Sequence, residues 1–184
     1  MAISVESYLG VPGSPVVVAE HTDDEGATFW DRLTAVAPWL RVERHRDGTT
    51  PRRTQLQGSG PHGRIVFVGH LEHRLLEPLV ETLRALATGQ IEFDTPATPS
   101  MLRGTPPLEL VVVVGPRCPF CPQVAAAALR FACASPTIGT TILRADAGAP
   151  PEVRAVPTVL VGGRLLASGT IGEYALAARL TSSG

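Results

Sequence analysis

Apolar residues along this chain fall into short runs separated by glycine and proline, and the runs come in two matching sets. In the first set a helical turn around Val5, Tyr8 and Leu9 precedes Pro15-Val-Val-Val-Ala19, which reads as a strand. Phe29, Trp30, Leu33 and Val36 then recur at helical spacing, with N-cap chemistry ahead of them in Thr22-Asp-Asp-Glu25. Pro38 stops that helix, and Leu40 to Arg44 alternates like a second strand. Asp47-Gly48 turns, Thr54 to Gln57 follows as a strand, and Arg64-Ile-Val-Phe-Val68 is a strong one. Leu71 to Leu86 is helical in pattern, although Pro78 inside it implies a kink or a late start.

The stretch from Thr88 to Pro107 is rich in glycine and proline and reads as a connector, with one turn of helix at Pro99-Ser-Met-Leu-Arg103. The pattern then starts again. Leu108 to Val114 is a strand, 119–134 a helix, and Thr140 to Arg144 a strand. A loop over 145–155, strands Thr158 to Val161 and Arg164 to Ala167 about Gly162-Gly163, and a helix from Thr170 to Leu180 complete it. Both halves read β-α-β-β-β-α, which makes this an α/β chain of two units, 1–88 and 108–184, joined by a linker over 89–107. Residues repeat as well: Gly63-Arg-Ile-Val-Phe-Val-Gly-His-Leu71 parallels Gly163-Arg-Leu-Leu-Ala-Ser-Gly-Thr-Ile171, with one gap. Sliding the first strands into register sets Thr22 and Glu25 about where Cys118 and Cys121 stand, so the first half lacks the thiols. Two unrelated α/β halves with similar turn chemistry are the plainer alternative.

Composition narrows the partners. With 184 residues, 44% of them hydrophobic and 18% charged, the chain has the make-up of a globular protein with a real core. A formal net charge of −1 gives no electrostatic case for nucleic acid or an anionic membrane. No basic segment followed by an apolar one opens the chain, and no apolar run approaches the ~20 residues of a membrane helix. Three cysteines, two of them in one motif, are not a disulfide-stapled secreted scaffold. The expected compartment is therefore the cytoplasm.

The chemistry lies in Gly115-Pro-Arg-Cys-Pro-Phe-Cys121, between the strand ending at Val114 and the alanine-rich helix. The unbonded N–H groups and positive end of a helix stabilise a thiolate, and Arg117 adds a neighbouring positive charge. With Cys118 ahead of the helix, Pro119 falls at the first helical position. A redox dithiol is the reading that this placement favours. Structural zinc needs four ligands, and no second CxxC or histidine pair supplies them, so no metal is expected. Two buried small hydrophobes are the bland alternative. His62, His70 and His73 near Glu72 read as solvated surface, as does the basic stretch Arg41 to Arg46 with Arg52-Arg53. Cys133 lies twelve residues beyond Cys121 in the same helix, about 18 Å along it at ~1.5 Å per residue, too far for a disulfide. It reads as core.

Thirty-six residues after Cys121, Val156-Pro157-Thr158 opens a strand. A cis bond at Pro157 would turn the backbone of Val156 towards the thiols, where it could pair with an extended peptide. Cys118-Pro-Phe-Cys121, Val156-Pro-Thr158 and Gly162-Gly163 together resemble the thioredoxin/glutaredoxin superfamily. The tandem arrangement resembles the N-terminal module of the alkyl hydroperoxide reductase flavoprotein and the two-domain protein disulfide oxidoreductases. The resemblance implies two tandem thioredoxin-like folds, each a central mixed sheet flanked by helices, with the CxxC kept only in the second. It implies Cys118 as nucleophile, Cys121 as resolving thiol, cis-Pro157 opposite them and Val156 presenting its backbone to the substrate; Arg117, the charge beside Cys118, is expected at the substrate too. Val112 stands about where thioredoxins carry a buried aspartate.

The dithiol motif implies a cytoplasmic thiol–disulfide oxidoreductase, and the resemblance implies that it reduces a protein disulfide such as that of a peroxiredoxin. The chain carries no G-x-G-x-x-G and no flavin domain follows Gly184, so no bound cofactor is expected and electrons would come from a separate flavin-dependent reductase. A disulfide oxidase or isomerase using the same residues, and a redox-sensing binding module, are the alternatives.

Overall fold

Valine, isoleucine and leucine runs become strands here because β-branched and apolar side chains suit a pleated, buried surface. In the computed structural model, which describes residues 5–22, 28–71 and 73–182, the first half runs α1 (Val5–Leu9), β1 (Val16–His21), α2 (Thr28–Val36), β2 (Leu40–His45), β3 (Arg53–Gln57), β4 (Ile65–Val68) and α3 (Leu76–Thr88). The second runs α4 (Thr98–Leu102), β5 (Leu108–Val114), α5 (Cys121–Ala134), β6 (Ile138–Arg144), β7 (Thr158–Val161), β8 (Arg164–Ser168) and α6 (Glu173–Ser182). The repeat is therefore α-β-α-β-β-β-α, one short helix longer per half than the strand-led pattern. In each half the first strand lies parallel to the second and antiparallel to the third, and the third is antiparallel to the fourth.

Two separate sheets are the sequence expectation; the structure joins them. β4 pairs in parallel with β6, Ile65 opposite Thr140, so the strands form one sheet in the order β2-β1-β3-β4-β6-β5-β7-β8. The seam is closed by main-chain bonds from Gly63 N–H to the Ala132 carbonyl (2.8 Å) and from Thr140 N–H to the Arg64 carbonyl (2.7 Å). Arg64 also grips Glu109 through two guanidinium nitrogens, at 2.8 and 3.3 Å. Six strands, β1, β2, β4, β5, β6 and β8, run in one direction, so their C-terminal ends share one rim. Ligands of open α/β sheets gather at such a rim.

Two helix starts differ from the pattern. α3 begins at Leu76 after a 3-10 turn at His73–Leu75, which puts Pro78 in its first helical turn, where no N–H is needed. α5 begins at Cys121, with Phe120 as N-cap, rather than at Pro119. Pro122 explains the shift. A helix starting at Pro119 would ask residue 122 for the first intrahelical N–H, which proline lacks; starting at Cys121 puts Pro122 among the free positions. α6 likewise starts at Glu173, with Leu176 N–H bonded to the Gly172 carbonyl, rather than at Thr170. Asp23, Glu25 and Glu72, named above for cap or site chemistry, lie outside the described residues.

A charged hub crosses the chain's parts. The Arg130 guanidinium on α5 donates to Asp94 of the linker at 2.8 Å, to Glu173 of α6 at 3.0 Å and to Glu81 of α3 at 3.3 Å. Glu173 is 1% exposed, and its other oxygen accepts the Asp94 N–H at 3.0 Å. Removing one partner of a buried pair strands the other charge at ~3–5 kcal/mol, and less where water reaches it. Arg130 is 21% exposed. Arg130→Ala should therefore cost about 2 kcal/mol in a urea melt. A loss near zero would mean that Glu173 finds another partner.

Candidate functional site

The site is built where β5 ends. Leu110, Val112, Val113 and Val114 are buried, and β5 lies between β6 and β7, so its C-terminus is fixed on both sides. Gly115-Pro116 cannot prolong the strand, and a turn carries the chain to Cys118, whose N–H bonds back to the Gly115 carbonyl at 3.3 Å. Cys118 and Cys121 are joined as a disulfide with their Cα atoms 5.5 Å apart. Cys118 is 8% exposed and Cys121 1%, so of the two the first is the more accessible. Cys121 opens α5, its Sγ accepts the Gly115 N–H at 3.5 Å, and the unbonded N–H groups of the first turn lie beside it.

Across from the dithiol comes the loop into β7. The Val156–Pro157 bond is cis; Val156 is half-buried and Pro157 buried. Thr158 is held under them by its hydroxyl, which donates to the Ala155 carbonyl at 2.7 Å. Arg117 is exposed beside Cys118, and Phe120, between the cysteines, is 55% exposed. A groove of about 460 Å³ runs along this edge between the halves, with Arg74, Glu77 and Glu81 on one wall and Pro119, Pro122 and Gln123 on the other. The half without cysteines thus shapes the surface next to them.

That first half keeps the frame without the sulfur. Thr22 follows β1 as the dithiol turn follows β5, and Thr50–Pro51, before β3, is a second cis bond. Pro51 is a position that sequence reasoning misses, although Thr-Pro ahead of a strand is the same signal as Val-Pro. Beneath Thr22 the carboxylate of Glu20 is 2% exposed, takes the Trp30 indole N–H at 3.1 Å, and has Arg44 and Arg52 each 3.8 Å away.

Cys133 is free and buried on α5. Burial pushes its thiol up to about 12, so it stays protonated at neutral pH and out of thiolate chemistry. His62 and His70 sit at opposite ends of β4, and His62 is tied locally, accepting the Gly58 N–H at 2.9 Å. Among the described residues no group of three or more His, Cys, Asp or Glu is gathered to hold a metal ion, and no helix is long and apolar enough to cross a membrane.

No family model matches the chain, and no curated protein sequence matches it. Solved structures do. A mutant of the alkylhydroperoxide reductase AhpF from Enterococcus faecalis superposes with a TM-score of 0.81 at 16% identity, over 96% of this chain and 95% of that one. The NTD_N/C domain of AhpF from the same organism superposes at 0.79 and 16% identity, over 96% and 95%. A protein disulfide oxidoreductase from Aeropyrum pernix superposes at 0.76 and 18% identity, over 97% and 90%. At such identities the likeness speaks for the fold, and the repeated strand order within one sheet speaks for its duplication. The chain thus has the α/β thioredoxin-like fold of those AhpF and protein disulfide oxidoreductase structures, its strand pattern occurring twice in one sheet.

Proposed function

We propose that the protein is a thiol–disulfide oxidoreductase working through a reversible Cys118–Cys121 disulfide. The observation that carries this reading is the Cys118–Cys121 disulfide at the head of α5, with the cis Val156–Pro157 bond on the segment that packs against Gly115 beside it. In the reduced protein the Cys118 thiolate attacks one sulfur of a client disulfide, and the other client sulfur leaves as a thiolate that takes up a proton. Cys121 then loses its proton and attacks the Cys118 sulfur of the mixed disulfide. This releases the second client thiol and leaves the oxidised pair seen in the structure. Two electrons have passed to the client. Arg117 favours the attacking thiolate by its charge, and the Val156 backbone aligns the client chain.

The client in this reading is a protein disulfide of peroxiredoxin type, a choice supported by the likeness to the alkylhydroperoxide reductase AhpF. A separate flavin-dependent reductase in the cytoplasm returns two electrons to the pair. Reduced by dithiothreitol, the protein should turn over insulin disulfides, and absence of any turnover with protein or small disulfides would sink the reading. Equilibration with thiol buffers then fixes the direction. A potential near or below about −250 mV marks a reductant; one above about −200 mV favours an oxidase or isomerase.

A further inference from the structure

We propose that Gly115 is a specificity-determining position of this site. By being a glycine it lets Val156 pack against the turn that leads to the dithiol, so that the site favours an extended protein segment. The inference rests on the exchange reaction proposed above. Gly115 touches three parts of the site at once. Its N–H reaches the Cys121 sulfur at 3.5 Å, its carbonyl receives the Cys118 N–H at 3.3 Å, and its Cα faces Val156. The backbone there has no left-handed φ, so conformation does not demand glycine. Space does. A Cβ on residue 115 would lie 2.9 Å from Val156 Cγ2 and 3.7 Å from Cys118 Cβ.

The first distance is too close for carbon, whereas the second is ordinary contact. Valine is stiff at χ1, because its branched Cβ restricts the rotamers open to it, so Cγ2 cannot simply rotate away. The strain passes to the backbone of Val156. Among the described residues neither the N–H nor the carbonyl of Val156 has a hydrogen-bond partner, and β7 begins two residues later. Those groups are open to an extended client strand, as at any unpaired strand end. Small disulfides need only the Cys118 sulfur. A side chain at 115 therefore penalises the client that uses Val156 and spares the one that does not.

The test compares two substrates, disulfide-linked insulin and hydroxyethyl disulfide, in wild type, Gly115→Ala, Val156→Ala and the double variant. In Gly115→Ala the KM for insulin should rise about tenfold, as small misplacements do. Turnover of the small disulfide should change far less, so that the ratio of the insulin KM to the small-disulfide KM moves about tenfold. Adding Val156→Ala, which deletes Cγ2, should restore the insulin KM to that of Val156→Ala alone. Equal losses on both substrates would overturn the proposal, since they would locate the effect at the sulfurs, and so would an unchanged KM or a failure of rescue. Should Gly115→Ala melt early, comparing the double variant with Val156→Ala carries the same test. Failure of the underlying reaction looks different: wild type itself would then turn over neither substrate, and the proposal would fall with it.

Discussion

Cys118→Ser is expected to abolish disulfide exchange, whereas Cys121→Ser should begin each cycle and fail to finish it. The asymmetry follows from the geometry of one turn. Cys118 is 8% exposed, while Cys121 is 1% exposed and has the Gly115 N–H on its sulfur. An incoming disulfide can reach only the first. Serine there leaves no thiolate to attack, and the rate should drop to the uncatalysed background. Serine at 121 leaves the attack intact but removes the thiol that would displace the client, so the mixed disulfide accumulates. Both variants should stay folded. The cysteines are three residues apart in sequence, and a disulfide closing so short a loop contributes only about 2 kcal/mol on a chain-entropy basis. Non-reducing electrophoresis after mixing with an oxidised client reads the outcome directly: a client-bearing band with Cys121→Ser and none with Cys118→Ser. A trapped band with Cys118→Ser instead would reverse the two roles. Cys133 does not confuse the result, because burial keeps its thiol protonated.

What the chain disclosed in advance was local. The strand Leu108–Val114 has the ends that its β-branched run suggested, and the Gly162-Gly163 turn joins β7 to β8 as read. Helix starts were less legible wherever proline occupied the first turn. Pro119 looked like the first helical residue, but the missing N–H of Pro122, three residues on, decided the matter. Long-range features left still weaker traces. Glu20 and Glu173 carry no sequence mark that separates them from surface acids, yet one sits under the cysteine-free half and the other anchors the linker. The fusion of two sheets depends on β4 meeting β6, strands from different halves that nothing local pairs. Only Gly63 hints at it, and a lone glycine before a strand has many ordinary explanations.

That glycine is the most sensitive position of the seam, and Gly63→Ala should destabilise the protein by about 3 kcal/mol or more, the upper range for overpacking. Gly63 has no left-handed φ, so the argument again concerns space. A Cβ there would penetrate the Ile138 carbonyl oxygen, lie 2.6 Å from the Ile138 carbonyl carbon and sit 2.9 Å from the Ser135 carbonyl oxygen. All three atoms are main chain, so no rotamer change relieves the clash. Residues 63 and 138 would have to separate, which pulls on the Gly63–Ala132 and Thr140–Arg64 hydrogen bonds and on the β4–β6 ladder behind them. Gly139 makes the contrast. A Cβ on it meets the carboxylate of Glu109, the free end of a flexible and half-exposed side chain. Gly139→Ala therefore needs only that Glu109 swing away from Arg64, a surface pair worth about 1 kcal/mol at most. At about 2–4 °C per kcal/mol for a chain of this size, Gly63→Ala should melt roughly 10 °C below wild type and Gly139→Ala within about 4 °C of it. Equal melting of the two variants would mean that the halves do not meet along β4 and β6. The expected order would locate their union at a residue where a methyl group meets only main chain.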